Sequence, residues 1–86
     1  MDNDKLFEEL LQLLEKLSIQ VRYDRGNFRG GLVKYHDADI FYINRKSDVD
    51  VKINTIINEL KNIEIPEELI SGEIRDLLES EQESNG

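Results

Sequence analysis

"LVKYHDADIFYIN", residues 32–44, decides how this chain folds. Leu32 to His36 and Asp39 to Asn44 are rich in Val, Ile, Tyr and Phe, whose branched or flat side chains pack well on a pleated surface. Between them stands His-Asp-Ala-Asp, so the stretch reads as two strands of a hairpin turning at Asp37 and Ala38. Upstream, Ile19-Gln20-Val21-Arg22-Tyr23 alternates apolar with polar residues, the pattern of a strand with one buried face. Residues 24–31 carry three glycines and break the alternation. The expectation is three short antiparallel strands.

Outside the strands the apolar period changes from two to helical. From Lys5 to Leu17 apolar residues fall at 6, 7, 10, 11, 13, 14 and 17, which predicts an amphipathic helix with Asp4 as its N-cap. Positions 53, 56, 57, 60 and 63 repeat the spacing, and Ser47-x-x-Asp50 has the form of a capping box that would open this second helix. Pro66 stops it. Ser71-Gly72 then precedes Ile74, Leu77 and Leu78, which predicts a last helix over about 72–80. The tail 81–86 has no apolar residue and reads as disordered and acidic. The expected fold is α+β: an N-terminal helix, a three-stranded antiparallel sheet, and two C-terminal helices packed on one sheet face, in a single domain over 1–80.

Composition narrows what such a domain does. At 86 residues it buries roughly 60 to 65% of the surface its unfolded chain exposes, enough for one modest core. The absence of cysteine removes disulfides, a thiolate nucleophile and Cys-based metal sites. The N-terminal MDNDKLFEELL is acidic, and no apolar run approaches the length of a membrane span, so the reading is a soluble cytoplasmic protein. The net charge of −8 is unevenly spread: residues 1–19 carry −3, residues 20–46 carry +3 and residues 47–86 carry −8. Tyr23, Phe28, Tyr35, Phe41 and Tyr42 all lie in the basic middle. One sheet face stays partly open in this arrangement, and it would carry whichever alternating set holds Gln20, Arg22 and Lys34.

The stretch "RGNFRGGLVK", residues 25–34, is where a ligand loop would sit. A Walker-type loop needs Lys and Ser or Thr after its second glycine and then a helix, whereas Leu32-Val33 and a strand follow here. Gly26, Gly30 and Gly31 do not fit G-x-G-x-x-G either. The glycines read instead as a turn and a bulge or close backbone approach. What remains is a candidate binding set of Arg22, Arg25, Phe28, Arg29, Lys34 and Tyr35. His36 stands beside Asp37 and Asp39, but a tight turn splays such side chains, so no metal site is expected. No nucleophile and base can be paired, and the chain reads as non-enzymatic, without cofactor or metal.

Over residues 18–62 the order of a strand, a glycine turn, the strand "DIFYIN" and then "SDVDVKINTIINELKN" resembles the front half of an ImmA/IrrE-type zincin-like domain. In that family the strand leads into a helix bearing HExxH. The resemblance puts Asn58-Glu59-Leu60-Lys61-Asn62 at the motif, with asparagine at both histidine positions and Glu59 at the general base. Neutral amides are poor zinc ligands. The resemblance therefore implies a truncated, catalytically dead relative, or a small bacterial protein sharing only the scaffold.

Two readings of function follow. The first is a protein-interaction module, a regulatory or adaptor protein meeting a protein partner or a copy of itself through the basic aromatic sheet surface. The alternative is nucleic-acid or phosphate-ligand binding through residues 22–46, with aromatic rings stacking bases and arginines on phosphates. The acidic flanks oppose the alternative, since they repel a polyanion over about 8 to 10 Å. A third arrangement, acidic helices imitating nucleic acid, fits the charge but has no positional signature.

Overall fold

Leucines at 6, 10, 13 and 14 are buried on one stripe of the first helix, α1 (Asn3–Lys16), as the spacing predicts. The computed structural model describes residues 3–26 and 30–80. Asp4 lies inside the first turn of α1 rather than capping it, because the helix already includes Asn3. The helix stops at Ser18, whose φ of 64° turns the chain out of the helical path.

Three strands follow: β1 (Ile19–Asp24), β2 (Gly30–Tyr35) and β3 (Ala38–Asn44). The hairpin between β2 and β3 is present, but it turns at His36 and Asp37, one residue earlier than the sequence suggests. His36 adopts φ 57°, the left-handed conformation that a two-residue hairpin turn requires, and Ala38 is free to pair with Tyr35.

The sheet is mixed, not wholly antiparallel. Its order is β1-β3-β2, with β3 antiparallel to β2 and parallel to β1. The physical reason lies in the strand compositions. Ile40, Phe41, Ile43 and Asn44 are all buried, so β3 shields both of its faces and takes the centre. β1 and β2 each leave half or more of their residues exposed, as edge strands do. β1 therefore ends and β2 begins beside the same end of β3, on opposite sides of it. Neighbouring strands are about 4.8 Å apart, so the gap between β1 and β2 spans about 10 Å, well within reach of five residues.

Asn44 ties the chain that follows β1 to the end of β3. It is only 6% exposed; its Nδ2 donates to the Gly26 carbonyl (2.9 Å) and its Oδ1 accepts from the Lys46 amide (3.0 Å). Beside it the Arg45 amide donates to the Asp24 carbonyl at 2.7 Å. At the start of β2 Gly30 has φ +106°, and a Cβ there would lie 2.6 Å from the Tyr42 carbonyl oxygen. Glycine is required at that point by both backbone conformation and space.

The second helix, α2 (Val49–Leu60), buries Ile53, Ile56, Ile57 and Leu60. Asp48, not Ser47, occupies its N-cap, and no side chain caps it; the Asp50 carboxylate accepts instead from the Val51 amide next door (2.9 Å). The capping-box reading fails because the helix begins one residue late for Ser47 to reach it. A short 3-10 turn (Glu67–Leu69) after Pro66 leads to α3 (Gly72–Glu79), where the Ser71 hydroxyl accepts from the Ile74 amide (3.4 Å). The helix α1 packs on β1 and α2, α2 packs on β2, and α3 packs on α2. The core joins Leu10, Leu14, Ile56, Leu60 and Ile74 of the helices to Ile19, Phe41 and Ile43 of the sheet. The expected tail, 81–86, lies outside the described residues.

Candidate functional site

Strand alternation sorts the sheet residues into two sets. Ile19, Val21, Leu32, Phe41 and Ile43 face the helices and belong to the core or pack against it. In the same registers Gln20 and Arg22 of β1, Ile40 and Tyr42 of β3, and Gly31, Val33 and Tyr35 of β2 point the other way. No described helix is packed on that second face. Ile40 is 4% exposed yet stands outside the core cluster, level with Gln20 and Val33 on the adjacent strands. Val33 at 45% and Tyr35 at 63% are exposed, and the Tyr35 ring meets the His36 ring edge-on with centroids 4.4 Å apart.

Among the described candidate residues, Arg22 and Lys34 do not come together. Arg22 stands on the open face of β1, level with Tyr42. Lys34 stands on the opposite edge strand and points to the helix side, level with Asp39, with which it forms an exposed ion pair (3.4 Å). Strand spacing and rise separate their Cα atoms by roughly 14 Å. The expectation that the hairpin would bring them together fails because β3 lies between their strands. Arg25 follows β1 and is exposed, its amide donating to the Asp24 side chain (2.8 Å). Phe28 and Arg29 lie outside the described residues. Of the aromatic residues, Phe41 is buried in the core and Tyr23 lies beneath the Arg45 guanidinium at 6.0 Å, leaving Tyr35 and Tyr42 for the open face.

Sequence reasoning missed the opening beside Gly31. Asp24, Gly30, Gly31, Leu32, Val33, Tyr42 and Glu59 line an open groove of about 530 Å³ where Gly31 has no side chain between Val33 and its cross-strand partner Tyr42. The Glu59 carboxylate closes one side, 3.5 Å from where a Gly31 Cβ would stand. A glycine on the open face of an edge strand was the signal; its meaning depends on strand order. A second groove lies between the end of α2 and α3, where Leu60, Ile63, Ile65, Ile70 and Leu78 meet the polar Lys61, Glu79 and Ser80.

Residues 58–62 straddle the end of α2. Asn58 is exposed in the helix and Asn62 lies just beyond it, its Nδ2 donating to the Asn58 carbonyl at 3.4 Å. Among the described residues no three His, Asp or Glu side chains are grouped to hold a metal ion, and no helix is long and apolar enough to cross a membrane. No protein-family model matches the chain, nor does any curated protein or solved structure.

Proposed function

We infer that this is a non-enzymatic protein-interaction module that works through the open face of its sheet. The observation that carries the reading is the pairing of an apolar strip, exposed Val33 and Tyr35 with half-buried Tyr42 beside buried Ile40, with a polar border at Gln20 and Arg22. Apolar and aromatic centres with a polar border are what desolvated protein interfaces are made of. Acidic helices keep the rest of the surface charged and resistant to non-specific association. The separation of Arg22 from Lys34 speaks against the nucleic-acid reading, since phosphates are gripped by cations that converge.

Kinship with zincin-like domains is part of this proposal in a limited form: a scaffold passing from β3 into α2 without the ligands for zinc. Protein prepared without added metal is expected to carry well under one equivalent of zinc, and a tightly held stoichiometric ion would contradict the reading.

The main test is capture of a partner from the source cell by wild-type chain and by Arg22→Glu, followed by mass spectrometry. A partner retained by wild type and lost with Arg22→Glu supports the face. Capture unaffected by the reversal, or affinity for unrelated single-stranded oligonucleotides at about micromolar level in physiological salt, would overturn it.

A further inference from the structure

We propose that the chain pairs with a second copy of itself through β2, the two strands running antiparallel about Val33. The proposal rests on the interaction-module reading and names one partner for it.

β2 is an edge strand, joined on one side to β3. Its closing pair with β3 is Tyr35↔Ala38 across a two-residue turn, so Tyr35, Val33 and Gly31 exchange hydrogen bonds with β3. The N–H and C=O groups of Gly30, Leu32 and Lys34 point outward. Among the described residues no backbone hydrogen bond from another element reaches them. Such an edge is a template for another strand.

The outward set fixes the register. Antiparallel pairing of two copies must join even-numbered residues to even-numbered residues. Centring on Lys34 would set two ammonium groups opposite each other. Centring on Leu32 would confine the pairing to residues 30–34 and leave the exposed Tyr35 ring outside it. Centring on Val33 keeps the pairing over residues 31–35: Leu32 bonds to Lys34 of the second copy, Val33 meets its own counterpart, and Tyr35 stands opposite Gly31.

In that register the surface is self-complementary. Tyr35 is the most exposed of the large hydrophobic residues, and Gly31 opens the groove on the same face four residues away. Twofold pairing puts each ring over the other copy's glycine. The carboxylates of Asp24 and Glu59 border that groove and can accept from the phenol hydroxyl. On the helix side, Lys34 lies across from Leu32 and keeps its ion pair with Asp39. An isologous contact uses each of these twice.

The interface is small, so association is weak, with a dissociation constant of about 10 to 100 μM. Each copy carries a net charge of −8, mostly away from β2, so added salt should strengthen pairing by screening this repulsion.

Sedimentation velocity on the full chain from about 10 μM to 1 mM reads the equilibrium directly. The expected result is a shift from monomer to dimer with concentration, a dissociation constant raised at least about tenfold by Tyr35→Ala, and a monomer throughout for Val33→Lys, which sets like charges face to face. Tyr35 is exposed, so its truncation tests the contact even if Val33→Lys disturbs the fold. A wild-type chain that stays monomeric at about 1 mM, or a dimer indifferent to Tyr35→Ala, overturns the proposal. Arg22 lies two strands from this edge, so Arg22→Glu should leave the dimer intact. A monomeric chain that still captures a partner in an Arg22-dependent way would refute self-pairing while leaving the wider reading standing.

Discussion

The two faces of β3 carry similar side chains to opposite ends. Phe41 and Ile43 point into the helices and are 1% and 2% exposed; Ile40 and Tyr42 point away, and there Ile40 reaches 4% with no described helix over it. Burial on the first side comes from tertiary packing. On the second no described helix contributes, and the partners level with Ile40, Gln20 and Val33, are themselves exposed. Equal burial fractions thus hide unequal roles: one face holds the fold and the other remains available.

Truncations on the two faces test this contrast. Phe41→Ala should lower stability by about 3 to 5 kcal/mol, the usual cost of emptying an aromatic site in a core. A loss no greater than that of an exposed residue, measured by chemical denaturation, would mean the wrong face has been taken as the core. Gly30→Ala should come next, at about 2 to 3 kcal/mol, since it combines a disfavoured φ with a collision against the Tyr42 carbonyl. A near-neutral effect would show that Gly30 does not sit against the Tyr42 carbonyl. Ile40→Ala should cost about 2 kcal/mol, at the low end for a buried aliphatic residue, because Gln20 and Val33 can settle into the space. A cost matching that of Phe41→Ala would erase the distinction between the faces. Tyr35→Ala should change monomer stability by less than about 0.5 kcal/mol, and a larger loss would show that the ring serves the fold.

The helices were legible because their apolar stripes repeat at 3.6 residues and those stripes are what the core buries: Leu6, Leu10, Leu13 and Leu14 in α1, Ile53, Ile56, Ile57 and Leu60 in α2. The hairpin was legible to within one residue, the difference being the willingness of His36 to adopt a left-handed conformation. Strand order was not legible. Alternation in β1 says that one face is buried but says nothing about which strand lies beside it or in which direction. The parallel pairing of β1 with β3 goes with a contact remote in sequence: the hydrogen bond from the Asn44 side chain to Gly26 spans 18 positions. The candidate site inherited the same blindness. Arg22 and Lys34 look close in the sequence and are separated by the central strand, whereas the groove at Gly31 arises only once Tyr42 is known to be its cross-strand neighbour.

The claim that function lies on the uncovered sheet face is tested most directly by light-activated crosslinking in the source cell. A photo-reactive residue replaces Tyr35 on the open face in one experiment and Asn54, exposed on α2, in another. The account predicts protein adducts from position 35, with the mass of a second copy or of a partner, and none from position 54. Adducts from position 54 alone, or from neither position, would contradict it.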